Sequence, residues 1–232
     1  MRVLQQFKGR LTPTQAANGI NAAVVNAKRL AEDAQLLLEA GRYPSASSFA
    51  ILALEELGKR SILRELLTAN SDVAVENCWR RYRKHTEKNY LALLPDRIRA
   101  GATRLHEFSD FFLQNGEIER ATFDAIKQLG FYTDCCANAH WSVPSEVVGE
   151  QLTGMLVSLA STLSENREPV TVQELELWQS HMAAGLTCGN LLKWCAAMVS
   201  AALKPPDYLD EMKNFTRGEK EPIDDLYEPG IV

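Results

Sequence analysis

Seven apolar residues, Ala16, Ile20, Ala23, Ala27, Leu30, Ala34 and Leu37, recur at spacings that alternate between four and three. That alternation holds all of them on one side of an α-helix of about 25 residues, which must bury the resulting stripe. Most of the stripe is alanine, so a partner helix can approach closely. Thr12-Pro13-Thr14 reads as the helix start, with proline tolerated in the first turn, and Gly41 as its stop. Tyr43-Pro44-Ser45 then opens a second helix. Its run Phe49-Ala50-Ile51-Leu52-Ala53-Leu54 is apolar on every side, which predicts a central, buried position.

The rest of the chain continues in helical segments. They are expected at about 73–93, 97–114, 118–128, 145–165 and 171–203, the last interrupted by Gly185 and Gly189. No stretch sustains the period-two alternation of a strand, and no repeat of fixed period is visible. The predicted fold class is therefore all-α, an antiparallel helical bundle with short connections. Residues 1–203 are read as a single helical domain. Residues 204–232 hold eight acids against four bases, with Pro222, Pro229 and Gly230, and are expected to form an acidic, flexible or loosely docked tail. Residues 130–144 break the helical pattern with aromatics, Asp134, Asn138 and His140. They form an irregular loop that either binds a ligand or lays its aromatics on the bundle as a lid.

The chain of 232 residues is net −5, which argues against a protein that coats nucleic acid nonspecifically but leaves room for a local basic site. The first residues lack the apolar core of a signal peptide, and no apolar run approaches the roughly 20 residues of a membrane span. A soluble, cytoplasmic protein is expected, with no membrane partner. The five cysteines show no CxxC spacing and no zinc pattern, so free thiols in a reducing compartment are the simplest reading.

Against this background residues 80–88 stand out. Arg80, Arg81, Arg83, Lys84 and Lys88 face a single acid, Glu87. Such a run is either a solvated helix face or an anion site. It also contains His85, the side chain best placed to trade protons near neutral pH. Arg81 and His85 are four apart and Lys88 lies three further on, so a regular helix puts them on one face; Arg80 has four residues between it and His85. Arginine, histidine and lysine together suit cleavage of an RNA phosphodiester by its own 2′-hydroxyl. Histidine moves a proton at the attacking or leaving oxygen, arginine holds the non-bridging oxygens, and lysine adds a point charge. That reaction takes RNA and not DNA, and it calls for no metal and no cofactor. His106, His140 and His181 are read as structural.

A second polar block follows directly on the apolar turn of the second helix: Glu55-Glu56-Leu57-Gly58-Lys59-Arg60. Glu55 with Lys59 and Glu56 with Arg60 are spaced for two surface ion pairs. Their position, directly continuing an all-apolar turn, predicts instead that the carboxylates are partly buried and need partners or a task.

Three motifs carry a family resemblance. They are Tyr43-Pro-Ser-Ala-Ser-Ser-Phe-Ala-Ile-Leu-Ala-Leu-Glu-Glu-Leu-Gly-Lys59, then Lys84-His-Thr-Glu-Lys88, then Gly130-Phe-Tyr-Thr-Asp134 with Trp141 and Pro144. In this order they resemble the AbiV branch of the HEPN superfamily, over most of the first 150 residues. The resemblance implies an α-helical HEPN core, a bacterial abortive-infection role against phage, and a metal-independent ribonuclease that is frequently a homodimer. It implies His85 as the proton-transfer residue and Arg80 as the phosphate clamp, with Lys88 beside them and Arg81 or Arg83 as alternatives to Arg80. Glu56 and Lys59 would line the same pocket from the second helix, and Tyr132 and Asp134 from the loop. It also allows a non-enzymatic role, in which the protein binds a phage or translation-machinery protein and Glu55, Glu56, Lys59 and His85 form a structural polar network.

Overall fold

The computed structural model describes residues 5–84, 116–165 and 168–217. Helix α1 spans Pro13–Glu39 and opens with a capping box: the Thr12 hydroxyl accepts from the Gln15 amide at 3.2 Å, and the Gln15 side chain accepts from the Thr12 amide at 3.0 Å. It stops at Gly41, whose φ of +68° permits the left-handed turn, and the amide of Arg42 reaches back to the Leu37 carbonyl at 2.8 Å. Helix α2, Tyr43–Thr68, runs back along α1. Six of the seven stripe residues of α1 are buried, and Leu37 is partly so.

Helix α2 is the central element. Seventeen of its 26 residues are buried, on all sides. Its first half meets Ala27, Leu30 and Ala34 of α1 and also α6, Glu150–Glu165, through Leu156, Val157 and Ala160. Its second half meets Ala16 and Ile20 of α1, and Val75, Cys78 and Trp79 of α3, Asp72–Arg83. Helix α4, Gly116–Phe131, packs along the first half of α2.

Residues 134–142 form a small hairpin, not an irregular loop. Strands β1, Asp134–Cys136, and β2, His140–Ser142, pair antiparallel with Asp134 opposite Ser142. Asn138 and Ala139 both adopt positive φ, which turns the chain tightly enough for pairing. A short α5, Pro144–Val147, leads into α6. With three residues per strand, the hairpin leaves the fold all-α.

The expected 171–203 helix is two helices, α7, Val172–Met182, and α8, Cys188–Ser200. The break falls at Gly185, with φ +107°, and Thr187 caps α8 by accepting from the Asn190 amide at 3.2 Å. Residues beyond 203 begin with a docked helix, α9, Tyr208–Arg217. Tyr208 and Met212 are buried against Trp194, Cys195 and Met198. The polar composition there hid two apolar anchors four residues apart.

Gly130 shows how tightly α4 seats on α2. A Cβ at this position would lie 2.2 Å from the Ser48 hydroxyl and 2.6 Å from the Pro44 carbonyl oxygen. The carbonyl is backbone and cannot swing away. Gly130→Ala is therefore expected to force α4 off the first turn of α2 and to cost about 1–3 kcal/mol, read as a lowered urea midpoint.

Candidate functional site: the α2–α3 seam

The polar block of α2 divides between two environments. Glu55 is buried and pairs with Lys127 of α4 at 2.6 Å; Lys127, itself 5% exposed, also holds Asp124 at 2.9 Å. Glu56 and Lys59 are half-buried and pair with each other at 2.5 Å. The pairs spaced i,i+4 in the sequence are thus replaced. Glu55 sits on the side of α2 covered by α4, where a lysine from another helix reaches it, and Lys59 turns to the glutamate three residues back. Burial by itself would lower the Lys127 pKa, but hydrogen bonds to Glu55 and Asp124 and their charges outweigh it, so the pKa is raised.

Helix α3 brings the basic run to α2. Its Ser71 cap accepts from the Ala74 amide at 3.2 Å, and Val75, Cys78 and Trp79 bury its inner face. Tyr82 lies under Lys59, with the ammonium 5.3 Å from the ring centroid, a cation–π distance. The α2 block and the basic turn of α3 therefore meet. The Cys78 thiol is pushed up to about 12 by burial and by Glu65, against the opposing pull of Arg81, so it stays protonated.

The three arginines point to different surroundings. The Arg81 Nη1 donates to both Glu65 carboxylate oxygens, at 2.7 and 2.6 Å. Arg83 borders a cavity of about 320 Å³ shared with Lys8, Arg10 and Trp79. Arg80 is exposed, and among the described residues its guanidinium meets no carboxylate. His85 and Lys88 lie outside the described residues.

Tyr132 and Asp134 stand at the other end of α2. They follow directly on Gly130, which touches Pro44 and Ser48. Pro44 and Lys59 are separated by about 22 Å along the helix at 1.5 Å per residue. Tyr132 is 62% exposed and its ring approaches Phe131, which in turn meets Phe49 edge-on. The Asp134 carboxylate accepts from the Cys135 amide at 2.8 Å. Glu56, Lys59 and the arginine-bearing turn thus share one seam, and Tyr132 and Asp134 are not part of it.

Sequence reasoning missed Lys127, Asp124 and Glu65. Asp124 and Lys127 are three apart inside an expected helix, a detectable i,i+3 pair. Nothing local marked Glu65 as the partner of Arg81, because that contact depends on how α3 folds back.

No helix among the described residues is long and apolar enough to cross a membrane. No curated protein and no solved structure matches the chain. The model of one family, described as AbiV, matches residues 15–165, which takes in all but the first two residues of α1, then α2 through α6 and all three motifs. The long alanine-striped α1, the central α2 with its Glu-Glu-Leu-Gly-Lys block and the basic α3 docked on it are the helical frame of that match, and the chain belongs to the AbiV family of abortive-infection proteins in the HEPN superfamily.

Proposed function

We propose that the protein defends bacteria against phage as a metal-independent ribonuclease that cleaves RNA at the basic end of α3. His85 serves as the proton-transfer residue, Arg80 holds the phosphate and Lys88 supplies a further positive charge. The RNA 2′-hydroxyl gives up its proton and attacks phosphorus. The P–O5′ bond breaks, the leaving oxygen takes a proton, and the products are a 2′,3′-cyclic phosphate and a free 5′-hydroxyl. The observation that carries this reading is the state of Arg80. Its exposed guanidinium meets no carboxylate among the described residues, whereas the neighbouring Arg81 is committed to Glu65. An exposed arginine without a carboxylate partner among the described residues, at a turn that packs against Lys59, is suited to phosphate. The protein is proposed to work in the cytoplasm as a homodimer.

Purified protein is expected to cut single-stranded or transfer RNA in the presence of EDTA, and His85→Ala and Arg80→Ala are expected to lose that activity with unchanged melting temperatures. RNA left intact by well-folded wild type would defeat the ribonuclease reading, and full activity in His85→Ala would defeat the assignment of that residue. A second reading, a non-enzymatic factor that binds a phage or translation protein, is favoured by the exposed Tyr132, Trp141, Val147 and Met155. It predicts that charge reversal at Arg80 leaves phage protection intact and that Trp141→Ala abolishes it.

A further inference from the structure

Residues 7–10, ahead of α1, are fastened to α3. The Trp79 indole N–H donates to the Gly9 carbonyl at 2.8 Å, and the Phe7 and Trp79 rings meet edge-on with centroids 6.0 Å apart. The Arg10 guanidinium donates to the Ala69 carbonyl and to Asp72. Between this arm and the helix lies the cavity of about 320 Å³, bordered by Lys8, Arg10, Trp79 and Arg83 together with Asp72 and Glu76.

The charges around this cavity are not equivalent. Asp72 answers Arg10 at 3.1 Å, so that pair is already neutral. Lys8 and Arg83 meet no carboxylate among the described residues, and Glu76 is the remaining acid of the lining. Arg83 is also three residues beyond Arg80 on the same helix, so the two arginines are neighbours, with Cβ atoms about 5–6 Å apart. A strand that gives one phosphate to Arg80 can therefore give an adjoining one to Arg83. At the edge of this basic ground stands an aromatic ring, Phe7, which is 54% exposed. Cations that follow the phosphates, with an aromatic side chain on which a base stacks, are the combination that holds single-stranded nucleic acid. Inorganic phosphate would use the cations and leave the ring idle.

We propose that the N-terminal arm and α3 together form a second nucleotide subsite for single-stranded RNA: Lys8 and Arg83 hold a phosphate next to the one at Arg80, and Phe7 stacks a base. The choice of RNA rests on the ribonuclease reading. The test is fluorescence anisotropy of the full chain with labelled 2′-O-methyl octauridylate, which lacks the free 2′-hydroxyl that cleavage needs, across a series of salt concentrations. For single strands, log affinity falls with log salt by about 0.7 for each phosphate contact. Lys8→Ala and Arg83→Ala should each weaken binding and flatten that slope by about 0.7. Phe7→Leu keeps an apolar side chain against Trp79 and removes the stacking ring; it should weaken binding about tenfold with the slope unchanged. Glu76→Gln, which takes an anion away from the phosphate, should tighten binding severalfold. Melting temperatures should match wild type throughout. No binding of the oligonucleotide by well-folded wild type, unchanged slopes in both cation variants, or unchanged affinity in Phe7→Leu would each overturn the subsite. Binding that depends on these residues in a protein that cleaves no RNA removes only the ribonuclease, and cleavage by a protein whose binding ignores them removes only the subsite.

Discussion

Glu174→Ala is expected to lower the unfolding free energy by about 3–5 kcal/mol, with a drop in melting temperature on the order of 10 °C. Arg64 of α2 is fully buried, and its guanidinium pairs with the Glu174 carboxylate of α7. The same guanidinium sits 5.0 Å from the Trp178 ring and 5.8 Å from the Trp194 ring, so both indoles and the Glu174 carboxylate border the charge. Aromatic faces offer part of the solvation that water would give, and the carboxylate supplies the countercharge. Removing Glu174 leaves the cation in a dry site without that countercharge. The double replacement Arg64→Met with Glu174→Leu should recover most of the loss, since it removes both charges and keeps the volume filled. Thermal melts of the two variants separate the outcomes. A double variant no more stable than Glu174→Ala would show that the pair contributes through geometry that apolar packing does not replace.

Lys127→Met should cost about 3 kcal/mol at neutral pH. Glu55 is 2% exposed and would lose the ammonium that reaches it from α4. The same contact gives a pH signature. The Lys127 pKa is raised in the folded protein, so folding tightens its hold on the proton. Its contribution is complete below the ordinary lysine pKa, about 10.4, and is lost as pH rises through the higher folded value. Urea midpoints of wild type and Lys127→Met should therefore differ at pH 8 and converge in strong alkali. Other lysines and tyrosines titrate in the same range, and the difference between the two proteins cancels them. A gap that stays constant to the alkaline limit would contradict the ionic account.

The helical architecture was legible because it rests on local periodicity. The alternate four-and-three spacing of α1 and the all-apolar turn of α2 specify both elements without reference to anything distant, and Thr12 and Gly41 mark the ends of α1 by cap chemistry. The 134–142 hairpin was not legible. Three-residue strands are too short to show alternation, and the pairing depends on two positive-φ residues, one of them an alanine. Helix α9 was masked by its charge, because two buried residues suffice to dock it.

At the seam, the polar block of α2 and the basic turn of α3 could each be found by composition. Their partners could not. Glu55 is matched by Lys127 across 72 residues, Arg64 by Glu174 across 110 and Arg81 by Glu65 across 16. Pairings of this kind are decided by which helix covers which face, and a single sequence carries no record of it. The same limit made Tyr132 and Asp134 look like neighbours of Lys59, when α4 carries them to the opposite end of α2.

The counter-ion of Arg64 has a consequence for where this molecule begins and ends as a unit. The family match stops at residue 165, yet the carboxylate and the two indoles that enclose Arg64 come from residues 174, 178 and 194. The stretch that the family model covers and the stretch that packs around α2 are therefore not the same. A chain cut at the family boundary would take the Glu174 carboxylate and both indoles away from a buried guanidinium, so the segment beyond residue 165 completes the core that the earlier helices begin.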